Sequence, residues 1–185
     1  MKQLAFATAA LLPALASAAD LLGSTVVLGY TYDTGTQVLQ TQDTVIVGAG
    51  VEVTCAGTAQ VCQILSAPTQ SLDFGASSIR YDYVGLNGAP ANFSAVPINR
   101  FEFSSLFDSS TAITGVQLGT DIAGLDASRL SFTAHTLTLD MRGLQLASTA
   151  FFQLDLQTAP VPEPASAALL LGGLGLLAAA GRRVR

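Results

Sequence analysis

Between residues 20 and 158, apolar and polar side chains alternate with period two, and this pattern most constrains the fold. Leu137, Leu139 and Met141 fall on one side of an extended chain, with Thr136, Thr138 and Asp140 on the other. Val26, Leu28, Tyr30 and Tyr32 repeat the arrangement; so do Ile79, Tyr81 and Tyr83, opposed by Arg80 and Asp82, and then Phe152, Leu154 and Leu156. A helix would scatter these side chains around its axis, whereas a pleated strand gathers them on one face. The apolar phase changes between Leu130/Phe132 and Leu137/Leu139, which calls for a tight turn or bulge near residues 134 to 136.

Composition points the same way. The segment has 17 Thr and 13 Ser, no Lys and only two Glu, so strong helix formers are scarce and residues suited to a half-exposed pleated surface abound. Asp33-Thr34-Gly35, Gly48-Ala49-Gly50, Asn87-Gly88-Ala89-Pro90 and Gly143 punctuate the runs. Ten to twelve short strands with no long helical pattern predict an all-β fold, an antiparallel two-sheet sandwich of jelly-roll-like type.

The two ends differ from this middle. Lys2 followed by an apolar stretch at 4 to 15, and then Ala16-Ser17-Ala18 or Ser17-Ala18-Ala19, has the form of a cleaved secretory signal peptide over residues 1–19. That implies the Sec machinery and signal peptidase as partners. Residues 165 to 180 form a second apolar block, preceded by Val161-Pro162-Glu163-Pro164 and followed by Arg182, Arg183 and Arg185. As a helix the block would span about 25 Å, slightly short of a ~30 Å hydrocarbon core, with arginines able to snorkel at its end. A single transmembrane helix is therefore expected, with its basic tail held in the cytoplasm and the domain across the inner membrane. The paired prolines serve as a stiff spacer between domain and span. The chain thus divides into 1–19, 20–158 and 159–185.

The order of Val161-Pro162-Glu163-Pro164, an Ala/Leu/Gly span and a terminal arginine cluster resembles the PEP-CTERM protein-sorting signal. The resemblance implies export by a Gram-negative bacterium, passage through the inner membrane, processing by exosortase, and association with exopolysaccharide and biofilm at the surface or in the extracellular matrix. A looser resemblance lies in Gly50-Val51-Glu52-Val53, Phe101-Glu102-Phe103, Ile113-Thr114-Gly115-Val116 and Leu130-Ser131-Phe132 before Leu137-Thr138-Leu139. These are similar to the β-rich middles of such proteins, and imply architecture alone.

Cys55 and Cys62 flank Gly57 between two strand-like stretches, 51 to 54 and 61 to 65, so a hairpin-closing disulfide is expected in an oxidising compartment. The spacing differs from Cys-x-x-Cys, and a redox pair or metal site is the alternative, with His135 as the one further soft ligand.

Charge and motif content narrow the function classes. The middle segment carries twelve acids against four arginines, a net charge of -8, which excludes a nucleic-acid binder because phosphate contacts need clustered cations. His135 is the sole histidine and falls in a turn, with no Gly-x-Ser-x-Gly elbow, so a hydrolase triad is not expected. Glu52, Asp82, Glu102 and Asp140 occupy strand positions where two could form a glycosidase pair, although solubilising roles are favoured. Asp121 and Asp126 share a loop that calcium loops resemble, yet too few oxygens are in evidence; neither a metal nor a cofactor is expected. Asn92-Phe93-Ser94 matches a glycosylation sequon of no weight in a bacterial chain. Tyr30 with Tyr32, and Tyr81 with Tyr83, offer a possible aromatic platform for glycan, or else an edge of the core. The leading expectation is a non-enzymatic exported protein. A lectin-like exopolysaccharide binder is the alternative, and a polysaccharide-modifying enzyme stands behind both.

Overall fold

A computed structural model describes residues 20–65 and 67–161. The expected signal peptide, the apolar block at 165 to 180 and the basic tail therefore lie outside the described residues. Two five-stranded antiparallel sheets dominate. The first orders β2 (Val38–Ile46), β1 (Thr25–Asp33), β7 (Ile98–Ser104), β10 (Leu137–Asp140) and β9 (Leu130–Phe132). The second orders β3 (Val53–Thr54), β4 (Gln70–Phe74), β5 (Ser78–Val84), β12 (Thr149–Pro160) and β8 (Thr111–Thr120). A small ribbon pairs β6 (Ala91–Asn92) with β11 (Gln145–Leu146). Neither large sheet closes on itself.

Alternation places the core between the sheets. Val26, Leu28 and Tyr30 of β1, Phe101 and Phe103 of β7, and Leu137 and Leu139 of β10 are buried, as are Ile79, Tyr81 and Tyr83 of β5 and Phe152, Leu154 and Leu156 of β12. Phe101 joins the layers: its ring lies 5.8 Å from both Tyr81 and Phe152 in the opposite sheet, and those two stack at 5.0 Å. Phe74 and Phe103 make an edge-to-face contact across the interior at 6.0 Å. Each such pair contributes about 0.5–1.5 kcal/mol beyond its burial.

The phase change is a hairpin. Leu137 pairs with Phe132 and Leu139 with Leu130, so all four share a face, and residues 133 to 136 form the turn, with the Thr133 N–H donating to the Thr136 carbonyl at 2.9 Å.

The disulfide joins Cys55 to Cys62 as expected, but what it closes differs from expectation. The second flank is a helix, α1 (Val61–Ile64), and the first is a strand only over Val53–Thr54. Asp43 of β2 explains the helix: its carboxylate accepts from the N–H groups of Gln60 and Val61 at 2.7 and 2.8 Å. Those donors have no intrahelical acceptor, and an anion at a helix start satisfies them. Val61 itself is fully buried, so apolar content alone did not distinguish strand from helix.

Candidate functional site

β12, an interior strand of the second sheet between β5 and β8, leads to the C-terminal motif. It pairs with β5 from Thr149 to Asp155 and with β8 from Phe152 to Pro160, with an irregularity at Gln157/Thr158. The next residue, Val161, is still tied down, its N–H donating to the Ser110 carbonyl at 2.7 Å. Of the predicted sorting residues, Val161 is thus placed at the end of the domain, whereas Pro162, Glu163, Pro164, Arg182, Arg183 and Arg185 lie outside the described residues. Among the described residues no helix is long and apolar enough to cross a membrane.

The tyrosines do not form a platform. Tyr30, Tyr81 and Tyr83 are 2%, 0% and 4% exposed, so no ring face is left for a sugar to stack upon. Their hydroxyls are satisfied internally: Tyr30 donates to Asn99 Oδ1, Tyr81 to Gln70 Oε1 at 2.6 Å, and Tyr83 to the Ala89 carbonyl at 2.9 Å. Burial pushes the ionisation of Tyr30 and Tyr81 well above the usual tyrosine range, so both are neutral donors. The alternation that suggested two stacked pairs was real, but the face they share points into the sandwich. Only Tyr32 remains half-buried.

Tyr30 and Tyr32 instead line a cavity of about 360 Å³ together with Gln63, Gln70, Asn92 and Asn99. Four amides and two phenols supply neutral hydrogen-bonding groups in a lining whose other half is apolar, Leu39, Ile64, Leu65, Phe93 and Leu146 among it; the amides of Gln70 and Asn99 are already held by the tyrosines and by the Ala67 and Ser94 carbonyls. Sequence reasoning missed this cavity because its lining comes from β1, β2, α1, β4, β6, the start of β7 and β11. A polar residue at a core-facing position, such as Gln70 or Asn99, was the available signal.

The candidate carboxylates take separate partners. Glu52 accepts from the N–H groups of Gly48 and Phe74 at 2.7 and 2.8 Å. Asp82 is gripped by Arg80, and Glu102 lies 3.6 Å from Arg100. Asp140 receives Nε and Nη2 of Arg142, which holds its carboxyl below the usual range. Asp121 accepts from the Phe151 N–H at 2.7 Å, and Asp126 accepts from the Ser128 N–H at 2.8 Å. His135 sits in the 133 to 136 turn, its Nδ1 3.3 Å from the Leu106 carbonyl oxygen. Among the described residues no three His, Cys, Asp or Glu side chains gather as a metal site.

Fold and terminus together define an open, disulfide-bonded two-sheet β protein whose last core strand runs directly into a terminal motif. That motif is a PEP-CTERM protein-sorting motif: residues 160–185 match the family model of that description. It implies an exported protein that is sorted and processed by exosortase, and proteins that carry it are sorted to the cell surface. Neither the curated proteins nor the solved structures compared with the chain include a match.

Proposed function

We propose that the protein is a non-enzymatic component of the surface or extracellular matrix of a Gram-negative bacterium, associated with exopolysaccharide and biofilm. On this reading the Sec machinery and signal peptidase deliver it across the inner membrane, and the apolar block at 165 to 180 holds it there until exosortase acts. The observation that carries the reading is the direct continuity of core strand β12 with the matched segment 160–185. The jelly-roll likeness belongs with it, supported by the chain's passage between sheets from β5 to β7, to β8 and back to β9, within a framework that also uses the local hairpins β1–β2, β4–β5 and β9–β10. Replacing Pro162, Glu163 and Pro164 by alanine tests the sorting. The variant should accumulate unprocessed in the inner membrane, and unchanged release would refute the reading. Intact mass of the released wild type locates both cleavage points.

A lectin-like module for exopolysaccharide is the second reading, favoured by the amide-lined cavity beside Tyr32. Pull-down with the producer's own polysaccharide should then weaken on Gln63→Ala and Asn92→Ala. Equal capture by wild type and variants removes this reading and leaves the sorting intact.

A further inference from the structure

Arginine is rare in this domain, yet three of its four arginines converge. Arg100 on β7, Arg129 in the 3-10 turn Ala127–Arg129 and Arg142 just after β10 line one cleft of about 390 Å³ on the outer face of the first sheet. Strand pairing builds the floor, because Arg100 lies directly opposite Asp140 across the β7–β10 ladder. In a domain of net charge -8, that cleft sets three cations against one lining carboxylate.

The three guanidiniums are not equally occupied. Arg142 is committed: Nε and Nη2 bind Asp140, and Nη1 donates to the Pro97 carbonyl at 3.2 Å. Arg129 is positioned through Nη1 alone, which donates to the Arg142 carbonyl at 2.9 Å and lies 4.0 Å from Asp140 Oδ1. Arg100 is the least satisfied. Its Nε is buried with no hydrogen-bond partner among the described residues, and its Nη2 is 3.6 Å from Glu102, beyond ordinary hydrogen-bond length. The buried Nε is out of reach of a ligand, but the Arg100 side chain is 42% exposed, so an acceptor supplied from outside can pair with its guanidinium end.

The remaining lining indicates what kind of acceptor fits. Ser131 and Thr138 add hydroxyls, while Ile98 and Leu130 add apolar surface. A planar guanidinium pairs best with a carboxylate or phosphate, and hydroxyls beside apolar carbons suit a sugar ring. We propose that the cleft of Arg100, Arg129 and Arg142 binds a sugar acid, a hydroxylated ring bearing a carboxylate, either free or as a unit of a polysaccharide. Arg100 and Arg129 hold the carboxylate, Arg142 is the strut that keeps Asp140 from neutralising them, and Ser131 and Thr138 meet the ring hydroxyls. The cleft shares only Asn99 with the lining of the cavity beside Tyr32, and the proposal does not rest on the sorting motif or on the lectin reading of that cavity.

Calorimetric titration of the full-length chain in a neutral, sugar-free detergent tests the assignment, with glucuronate, an oligogalacturonate, glucose and inorganic sulfate as probes. Glucuronate should bind at least about tenfold more tightly than glucose or sulfate, a difference of about 1.4 kcal/mol. Tighter binding of the oligomer marks a polysaccharide unit as the ligand, and equal binding marks the free acid. Arg100→Gln and Arg129→Gln should each weaken glucuronate binding at least about tenfold, Arg100→Lys should recover only part of it, and Gln63→Ala should change nothing. Thermal melts identify any variant that fails to fold, in which case the other carries the comparison. Glucuronate bound no more tightly than sulfate or glucose, or full affinity in folded Arg100→Gln and Arg129→Gln, would overturn the proposal.

Discussion

Val161 donates its backbone N–H to the carbonyl of Ser110 at 2.7 Å, so the domain holds the chain up to the residue immediately before Pro162. An interior strand of the second sheet therefore ends where the sorting tripeptide begins, with no free chain between them. Inserting about ten Gly/Ser residues between Val161 and Pro162 gives a flexible tether of roughly 15–20 Å root-mean-square length. Pulse-chase labelling should show faster processing of this variant, because exosortase no longer works against a folded domain. An unchanged rate would mean that processing precedes completion of β12.

The hydroxyl of Tyr81 reaches Gln70, which is only 6% exposed. Tyr81→Phe removes the donor and leaves a buried amide oxygen unpaired, a loss of about 1–3 kcal/mol. Urea unfolding should register that loss, while polysaccharide pull-down stays unchanged because the ring is buried. Lost capture with unchanged stability would contradict the core assignment of Tyr81.

Cys55 and Cys62 close a loop of seven residues' separation between β3 and α1. For so short a loop the chain-entropy contribution is about 2–3 kcal/mol. Replacing both cysteines by alanine should lower Tm by roughly 5–10 °C for a domain of this size. Wild-type protein melted with a reductant should fall to the same value.

Asp140 has a folded-state pKa below its ordinary value of about 3.9, first because Arg142 hydrogen-bonds its charged form. Stability from that pair is present above the unfolded pKa and is lost as pH falls through the lower, folded one. Asp108 and Asp126 shift in the same direction through Ser110 and Ser128. Denaturant midpoints should therefore decline below about pH 4, and the decline should be shallower in Asp140→Asn. Equal slopes in the two proteins would remove Asp140 from the acid response.

Alternation is a local property, and it grouped the side chains that share a face on β1, β5, β10 and β12 correctly. The turn between Phe132 and Leu137 was legible for the same reason, since a reversal of phase can be seen without knowing the partner strand. The failure at 61 to 65 has an equally plain cause. Val61, Ile64 and Leu65 are compatible with either period, and the deciding group, Asp43, lies 18 residues before Val61 in the chain. The tyrosine pairs show a related limit: period two establishes that Tyr81 and Tyr83 share a face, but which face is covered depends on Phe101 and Phe152 arriving from distant strands.

The sequence by itself determined the all-β character, the disulfide partners and the C-terminal sorting motif, because strand periodicity, a lone pair of cysteines and a linear motif are each read within a short window. Tertiary structure alone decided that Tyr30, Tyr81 and Tyr83 are core, that Asp43 starts a helix, and that Arg100, Arg129 and Arg142 share a cleft. Those facts depend on contacts between residues far apart in the chain, and burial and charge convergence exist only once the two sheets have paired.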